Sequence, residues 1–368
     1  MRQVVVAGVG MHKCGRYPEK PATDLALEAA LNALDDAGIP WNAMEVAYAS
    51  HVAQGVSVGE AICEKLGMTG IPIINVENAC ASGSTAIREA FYAIANGVYD
   101  VAIVIGVEKM NRGVLGGAGE EGSLERELGL NVMPARYALK ANKHMHAYST
   151  TVEQMAKVSV KNHKNGCLNP YAHYQKVFTV EEVLASKMIC DPITLLQCCP
   201  TSDGAAAAVL CAAKIVRRYN SKPKVFIAGS ALKTEKYKDD ADLTARTAKA
   251  AYEMAAMEPG DIDFAELHDA FTIGEILHCE SLGFCPPGEG GVLVDTGRTE
   301  IGGDIPVNPS GGLQSRGHPL GMTGVAQLCE VVWQLRGAAA KRQVESAKVG
   351  LTHTQGAGGV CSVHIFKR

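Results

Sequence analysis

The chain has 368 residues, 47% hydrophobic and 20% charged, with a formal net charge of -4. That is the balance of a globular protein with room for two or three cores. With no lysine–arginine block it argues against a nucleic-acid surface. The longest apolar run, at 205–213, falls far short of the roughly 20 residues that span a bilayer, so no membrane segment is expected.

The first element, "VVVAGVGMHK" from Val4, turns to Gly, His and Lys after a few residues and reads as a strand, not a signal peptide. An Ala-rich helix follows in "DLALEAALNALDDAG" (24–38), then a short strand in "MEVAYASH" ending at His51, then a helical "GEAICEKLGM" (59–68). "NVENACASGSTA", from Asn75, is a turn of very small residues. It leads into a helix predicted over Thr85–Asn96, with Ile87, Ala90, Phe91 and Ile94 at helical spacing. "DVAIVIG" closes this set as a strand. Residues 108 to about 190 break the pattern with Gly-, charge- and Met/His-rich composition, and read as an excursion lying over the first half. Long insertions of this kind serve substrate binding or subunit contact. In "TSDGAAAAVL" (201–210), Asp203 makes a tight turn before a buried Ala-rich strand.

From Val225 the order starts again. "VFIAGSALKT", "DLTARTAKAAYEMAA", "DIDFAELHD" and "GEILHCESLGF" (274–284) repeat the sequence of strand, helix, strand and helix. "NPSGGLQSRGHPLGMTG" from Asn308 is the second small-residue turn; a helix predicted over Leu320–Arg336, stopped by Gly337, feeds the strand "VGLTHTQG". Six matches in one order indicate an internal duplication, with a period too long for a solenoid. Alternating strands and helices imply α/β layers with covered sheets. The expected halves are 1–220, which includes the insertion, and 221–368, joined near "RRYNSKPK" (217–224). The duplication puts Cys80 and His318 on corresponding strand-to-helix turns, which pseudo-twofold packing would bring together.

A thiol at a helix N-terminus feels free amide N–H groups and the helix dipole, and both lower a pKa that starts near ~8.5. Small neighbours let a substrate carbonyl reach Cys80 and let backbone amides point at its oxygen. His318, fixed between Gly317 and Pro319, can take the thiol proton and return it. From the residues alone, a catalytic pair and two structural residues stand equally. The cysteines are scattered without a framework, which suits reduced thiols in the cytoplasm. Cys198 and Cys199 are adjacent and no two C-x-x-C pairs face each other, so no metal is expected. "HMH" (144–146) reads as packing or as facing a substrate cleft. "GVGMHK" fails as a dinucleotide fingerprint because Lys13 replaces the final Gly.

"ENACASGS", "KNHKNGCLNP" (161–170), "TSDGAAAAVL", "LHDAFTIGEILHCESLGFCPPGEGG" and "NPSGGLQSRGHPLGMTG" together resemble the thiolase superfamily, and more narrowly its sterol-carrier-protein or lipid-transfer branch. The resemblance runs from Val4 to Phe366. It implies the α/β thiolase fold: two similar five-stranded βα halves in a five-layer αβαβα arrangement, with an inserted loop domain, in a homodimer or larger. It implies that Cys80 becomes acylated, that His318 activates it and helps bind the thioester oxygen, and that His268 supports the other oxyanion site. Ser310 and Gly311 would lie along the pantetheine arm of coenzyme A, which is a substrate and not a resident cofactor. Relatives of this branch often work with a small companion carrying a zinc ribbon and an OB-fold.

One departure is informative. Thiolases use a second acid/base thiol, which relatives of this branch place in "HDCF"; here the motif is "HDAF", with Ala270. Others place it in a Cys-x-Gly turn near the C-terminus; here "LTHTQGAGG" puts Gln355 in that slot. His353, two residues earlier on the same strand face, is the best internal substitute; the competing reading is a buried imidazole satisfied by a backbone group. Cys279 and Cys361 are weaker, since Cys279 is mirrored by Cys63 and core packing explains both. The expected activity is acyl-CoA C-acyl transfer: thiolytic cleavage of a 3-oxoacyl-CoA, or the reverse Claisen condensation, through an acyl-cysteine. A retro-aldol lyase acting on a 3-hydroxyacyl-CoA and a non-catalytic acyl-CoA or lipid binder are the alternatives. Steroid, aromatic (such as benzoylsuccinyl-CoA) and short-chain acyl groups all stay open.

Overall fold

The structure, a computed structural model, describes residues 1–113, 116, 123–219, 222–237 and 242–368. The first strands are β1 (Val4–Met11), β2 (Val46–Ser50), β3 (Ile73–Val76) and β4 (Val101–Glu108). A short pair follows, β5 (Met188–Cys190) and β6 (Ile193–Thr194). Then come β7 (Gly204–Ala212), β8 (Val225–Thr234), β9 (Phe264–Glu266), β10 (Val349–Gly356) and β11 (Val360–Lys367).

All but β5 and β6 form one sheet, in the order β3-β2-β4-β7-β1-β8-β11-β10-β9. Read outward from the centre, β1-β7-β4-β2-β3 on one side is answered by β8-β11-β10-β9 on the other, followed by the Ala265–Val307 bridge. Directions agree as well. β2 is parallel to β3 and β4, as β9 is to β10 and to the Val307 segment, while β7 and β11 run antiparallel to their neighbours. The duplication is therefore written into the topology. One detail differs from expectation. The fifth strand of the second half shrinks to a single bridge because Asn308, at φ 55, turns the chain left-handed at once. The halves join edge to edge, Val5 and Val6 pairing with Phe226 and Val225.

The helix Ala22–Ala37 packs on β1 and β7, and its counterpart Leu243–Ala255 packs on β8 and β11. Between the halves run the helices Ser82–Ala95 and Thr323–Arg336, which touch each other and strands of both halves. This gives five layers, and explains why Thr323–Arg336 is buried almost all round: neighbours cover it on both faces. The first of these helices starts earlier than the apolar spacing implied, because Ser82 closes the turn before it. The second starts later, because Pro319–Met322 form a turn in which Met322 N–H and Thr323 N–H both donate to Pro319 O.

The insertion contributes the helices Met133–Tyr148 and Val152–Gly166. These two helices dock on the second half, although the insertion was expected to lie over the first. The insertion's apolar residues Tyr137, Ala141, Met155 and Val158 share a core with Phe271, Ile273, Ile276 and Leu313 of the second half. Their large buried side chains offer the apolar face those helices need. Among the described residues no helix is long and apolar enough to cross a membrane, and the cysteines are all free thiols.

Candidate active site

β3 delivers the chain to a tight turn that carries Cys80, and the central helix starts at Ser82. Ala79 holds φ 50, a left-handed conformation that costs a residue with a Cβ roughly 1–2 kcal/mol. Ser82 over-determines it: Ser82 Oγ accepts Asn78 N–H at 2.9 Å and donates to Ala79 O at 2.6 Å. Small residues are required here because the turn of the other half lies directly against it. A Cβ on Gly83 would stand 3.0 Å from Gly321 O.

The matching turn of the second half, from Asn308 to Met322, is almost wholly buried, and "KNHKNGCLNP" clamps it. Lys161 pairs with Glu275 and donates to Val307 O at 2.9 Å. Asn162 Nδ2 bridges Asp269 (2.8 Å) and Glu275 (2.9 Å), Asn165 donates to Asn308 O, and Asn169 donates to Ser310 O. Glu266 accepts both the backbone N–H and the hydroxyl of Ser310, at 3.0 and 2.7 Å. Ser310 and Gly311, expected along a pantetheine arm, are thus sealed beneath the turn, where they shape it and do not line the cavity that holds Cys80. Glu108, at the end of β4, accepts Gly321 N–H at 3.0 Å, and Ser50 Oγ donates to Gly321 O at 2.8 Å, which docks this turn on the first half.

His318 Nδ1 lies 2.8 Å from Thr323 Oγ1, and the Thr323 proton goes to Pro319 O at 2.9 Å. Nδ1 must therefore be the donor. Nε2 is left with a bare lone pair, buried and without a partner among the described residues. His268, just after β9, presents its ring to that of His318 edge to face, centroids 5.1 Å apart. Cys80 Sγ and one ring nitrogen from each histidine lie within 4.8 Å of one another. The structure thus brings Cys80, His318 and His268 together from opposite halves, on a cavity of about 180 Å³ also walled by Tyr137, Lys140, Ala270, Phe271 and Gln355.

His353 is not brought to this cavity. It is fully buried behind His268, where its Nδ1 accepts the His268 backbone N–H at 3.5 Å. Nε2 then carries the proton and donates to Thr244 Oγ1 at 3.2 Å. Gln355 does reach the cavity, and its Oε1 is buried without a partner among the described residues. His144 of "HMH" is occupied by Thr150 and Glu280. Sequence reasoning missed Thr323, which orients His318 from five residues on, and it missed Tyr137 and Lys140 of the insertion. Thr323 was visible in "HPLGMT"; the other two carry only a helical i, i+3 spacing.

Burial governs the electrostatics. The Cys80 thiol is pushed up to about 12 by desolvation, against the N–H groups of Ala357 and of Cys80 itself, which pull it down. The sequence suggested the opposite sign; the amide contribution is present, but loss of water outweighs it. Burial and the neighbouring His268 hold His318 well below the ordinary imidazole range. Burial, then the charge of Lys140, brings His268 down to about 3. At rest the site is a neutral thiol beside two neutral imidazoles. A larger cleft of about 420 Å³ adjoins it at Phe271, lined among others by Arg16, Arg112, His173 and Tyr174.

The family model "Thiolase, N-terminal domain" matches residues 4–214, and "Thiolase C-terminal domain-like" matches residues 229–368. The chain is 44% identical to the acetyl-CoA acetyltransferase of Methanothermobacter thermautotrophicus, covering 100% of both chains. It is 38% identical to the benzoylsuccinyl-CoA thiolase subunit BbsB of Thauera aromatica, over 97% of this chain and 95% of that one. Among solved structures it resembles the Ltp2-ChsH2(DUF35) aldolase with a TM-score of 0.88 and 26% identity, covering 99% of this chain and 97% of that one.

Proposed function

The chain belongs to the thiolase family, and on that footing we propose that Cys80, His318 and His268 exchange an acyl group between a 3-oxoacyl-CoA and coenzyme A. The observation that carries this reading is the bare Nε2 of His318 beside Cys80, on a cavity to which each half of the duplication contributes one member.

In the cleavage direction Cys80 Sγ attacks C3 of the substrate as His318 Nε2 takes the thiol proton. The C2–C3 bond breaks and the acyl group stays on sulfur, so one difficult displacement becomes two easier ones. Because thiol and imidazole are both neutral at rest, the thiol proton passes to His318 as Sγ attacks the substrate carbonyl, and no free thiolate has to form beforehand. The amides of Cys80 and Ala357, already directed at Sγ, are placed to hold the acyl oxygen; His318 and His268 face the thioester oxygen. Coenzyme A is a substrate that enters through the cleft of Arg16 and Arg112, whose guanidinium groups suit its phosphates.

Two assembly readings belong to the same proposal. Among the described residues β3 ends the sheet with an unpaired edge, and Ile74 on it is 40% exposed, which suits pairing with a second copy in a homodimer. Association with a companion protein is supported by the names of two similar chains, one a subunit and one a DUF35 assembly; that the companion is a small zinc-ribbon/OB-fold protein rests on the family resemblance, and copurification tests it. A cytoplasmic setting fits the free thiols.

The test is mass spectrometry after incubation with acetyl-CoA and with 3-oxoacyl-CoAs. An acyl adduct on Cys80 that Cys80→Ala abolishes is expected. Carbon–carbon cleavage that survives Cys80→Ala would overturn acyl transfer in favour of a retro-aldol lyase, which forms no acyl-enzyme.

A further inference from the structure

Breaking C2–C3 leaves the electron pair on C2, and that carbanion needs a proton. The inference depends on the acyl-transfer reading above. Cys80 and His318 are already committed to each other. Of the remaining walls, His268 faces the thioester oxygen, Ala270 has no proton to give and the Gln355 amide is no useful acid; His353 does not reach the cavity, being sealed behind His268. We propose that the phenol of Tyr137 is the catalytic acid/base that protonates C2 and then receives the proton of the incoming coenzyme A thiol.

Tyr137 stands on the helix Met133–Tyr148 with 4% of its surface exposed, yet it walls the same cavity as Cys80, His268 and His318. Its ring stacks on Phe271 at a centroid distance of 4.5 Å and an interplanar angle of 28°, so it stands over the turn that contains Ala270. Buried tyrosine hydroxyls ordinarily find a partner; this one has no hydrogen bond to any described residue, and its hydroxyl is not sealed off from the cavity. Burial raises the Tyr137 phenol above its ordinary range, and of its ionisable neighbours Cys80, when ionised, would raise it most, followed by Cys199 and Asp269. Lys140, one turn on, holds its Nζ 5.1 Å from the Tyr137 ring and steadies a phenolate when one forms. Lys140 itself is exposed, and the charges that bear on it are Asp242, Glu235 and Arg136, out at the mouth.

The protons balance. Tyr137 O–H gives its proton to C2, and acetyl-CoA or its homologue departs. The phenolate takes the coenzyme A thiol proton, and the thiolate attacks the acyl carbonyl on Cys80. Sγ leaves and recovers its proton from His318. A phenol is a weaker acid than a thiol and a far stronger one than a thioester C–H, so both transfers run downhill in the cleavage direction.

Tyr137→Phe keeps the ring stack and removes only the hydroxyl. Three readouts are compared with wild type: alkylation of Cys80 by iodoacetamide, which needs no proton from Tyr137, exchange of the acetyl-CoA C2 protons with D2O, and thiolytic cleavage. Expected is normal alkylation, with exchange and cleavage lowered by about 10²–10⁴-fold. Exchange and cleavage within threefold of wild type overturn the proposal. So does loss of alkylation in Tyr137→Phe, which would make the phenol a support for Cys80. So does loss of exchange in Cys199→Ala with Tyr137 intact, because the Cys199 N–H bonds Ala270 O at 2.8 Å and its thiol is the rival donor. If wild-type Cys80 is never acylated, the acyl-transfer reading itself fails, a result separate from these.

Discussion

Gly324→Ala tests whether the contact between the two central helices sets the reactive geometry. A Cβ at Gly324 would collide with Ser84 N and Oγ and lie 2.9 Å from Gly83 C, all at the start of the helix that follows Cys80. Ordinary carbon contacts begin near 3.5 Å, and the closest of these atoms are backbone, so the helices must part by roughly 1 Å. Overpacking of this size costs about 1–3 kcal/mol. Parting the helices also parts the turns at their N-termini, one carrying Cys80 and the other His318. A misplacement near 1 Å is enough to cost on the order of 10²-fold in rate. Gly324→Ala should therefore unfold at lower urea and lose about 100-fold in kcat/KM. Gly83→Ala, whose nearest contacts are 3.0 Å, should lose less of both. The pair is read by urea denaturation and by acyl-CoA kinetics on the same preparations. Gly324→Ala with wild-type midpoint and rate would refute the reasoning, as would lost stability with full activity, because the helix contact would then not fix the Cys80–His318 geometry.

His318→Ala should leave Cys80 a poor nucleophile at neutral pH, with the thiol held near 12 by burial; iodoacetamide labelling of Cys80 at pH 7, followed by mass spectrometry, should slow at least tenfold. Glu330→Ala strands the guanidinium of Arg342, whose Nε now donates to both Glu330 oxygens at 2.9 and 3.0 Å with both side chains buried. Breaking such a pair costs about 3–5 kcal/mol, measured as a shift in the urea midpoint. Acid should destabilise the fold. His163, His268, His278, His318, His353 and His364 are all held below the imidazole range by burial, so below pH 6.5 the unfolded chain binds protons that the native one refuses. Each such group costs up to about 1.4 kcal/mol per pH unit. Glu266 and Asp269, pushed up to about 7 by burial, act in the opposite sense from about pH 4 to 7, but they are the fewer. Urea melts at pH 5 should therefore fall below those at pH 7.5, and equal midpoints would count against this accounting.

What was legible in the sequence, and what was not, divides by range. Cys80 and His318 were readable because each lies within a short turn whose small residues serve a local purpose: Ser82 closes one turn and Thr323 orients the ring in the other. The duplication was readable because strand and helix periods survive in sequence, and the sheet order repeats them. The docking of the insertion was not, since the partners of Tyr137 and Met155 lie more than a hundred residues away, around Phe271 and Leu313. Ser310 looked like a ligand-binding residue until the buried carboxylate of Glu266 took both its donors. The sign of the Cys80 shift was lost for the same reason. A helix N-terminus is encoded in about nine residues, but the water removed from around Sγ is displaced by walls from the first half, the insertion and both ends of the second half. Local dipole and global burial oppose each other at this sulfur, and burial wins. A thiol that stays protonated until substrate enters is protected from stray electrophiles, so the enclosure that hid its chemistry from the sequence is also what restricts that chemistry to the substrate.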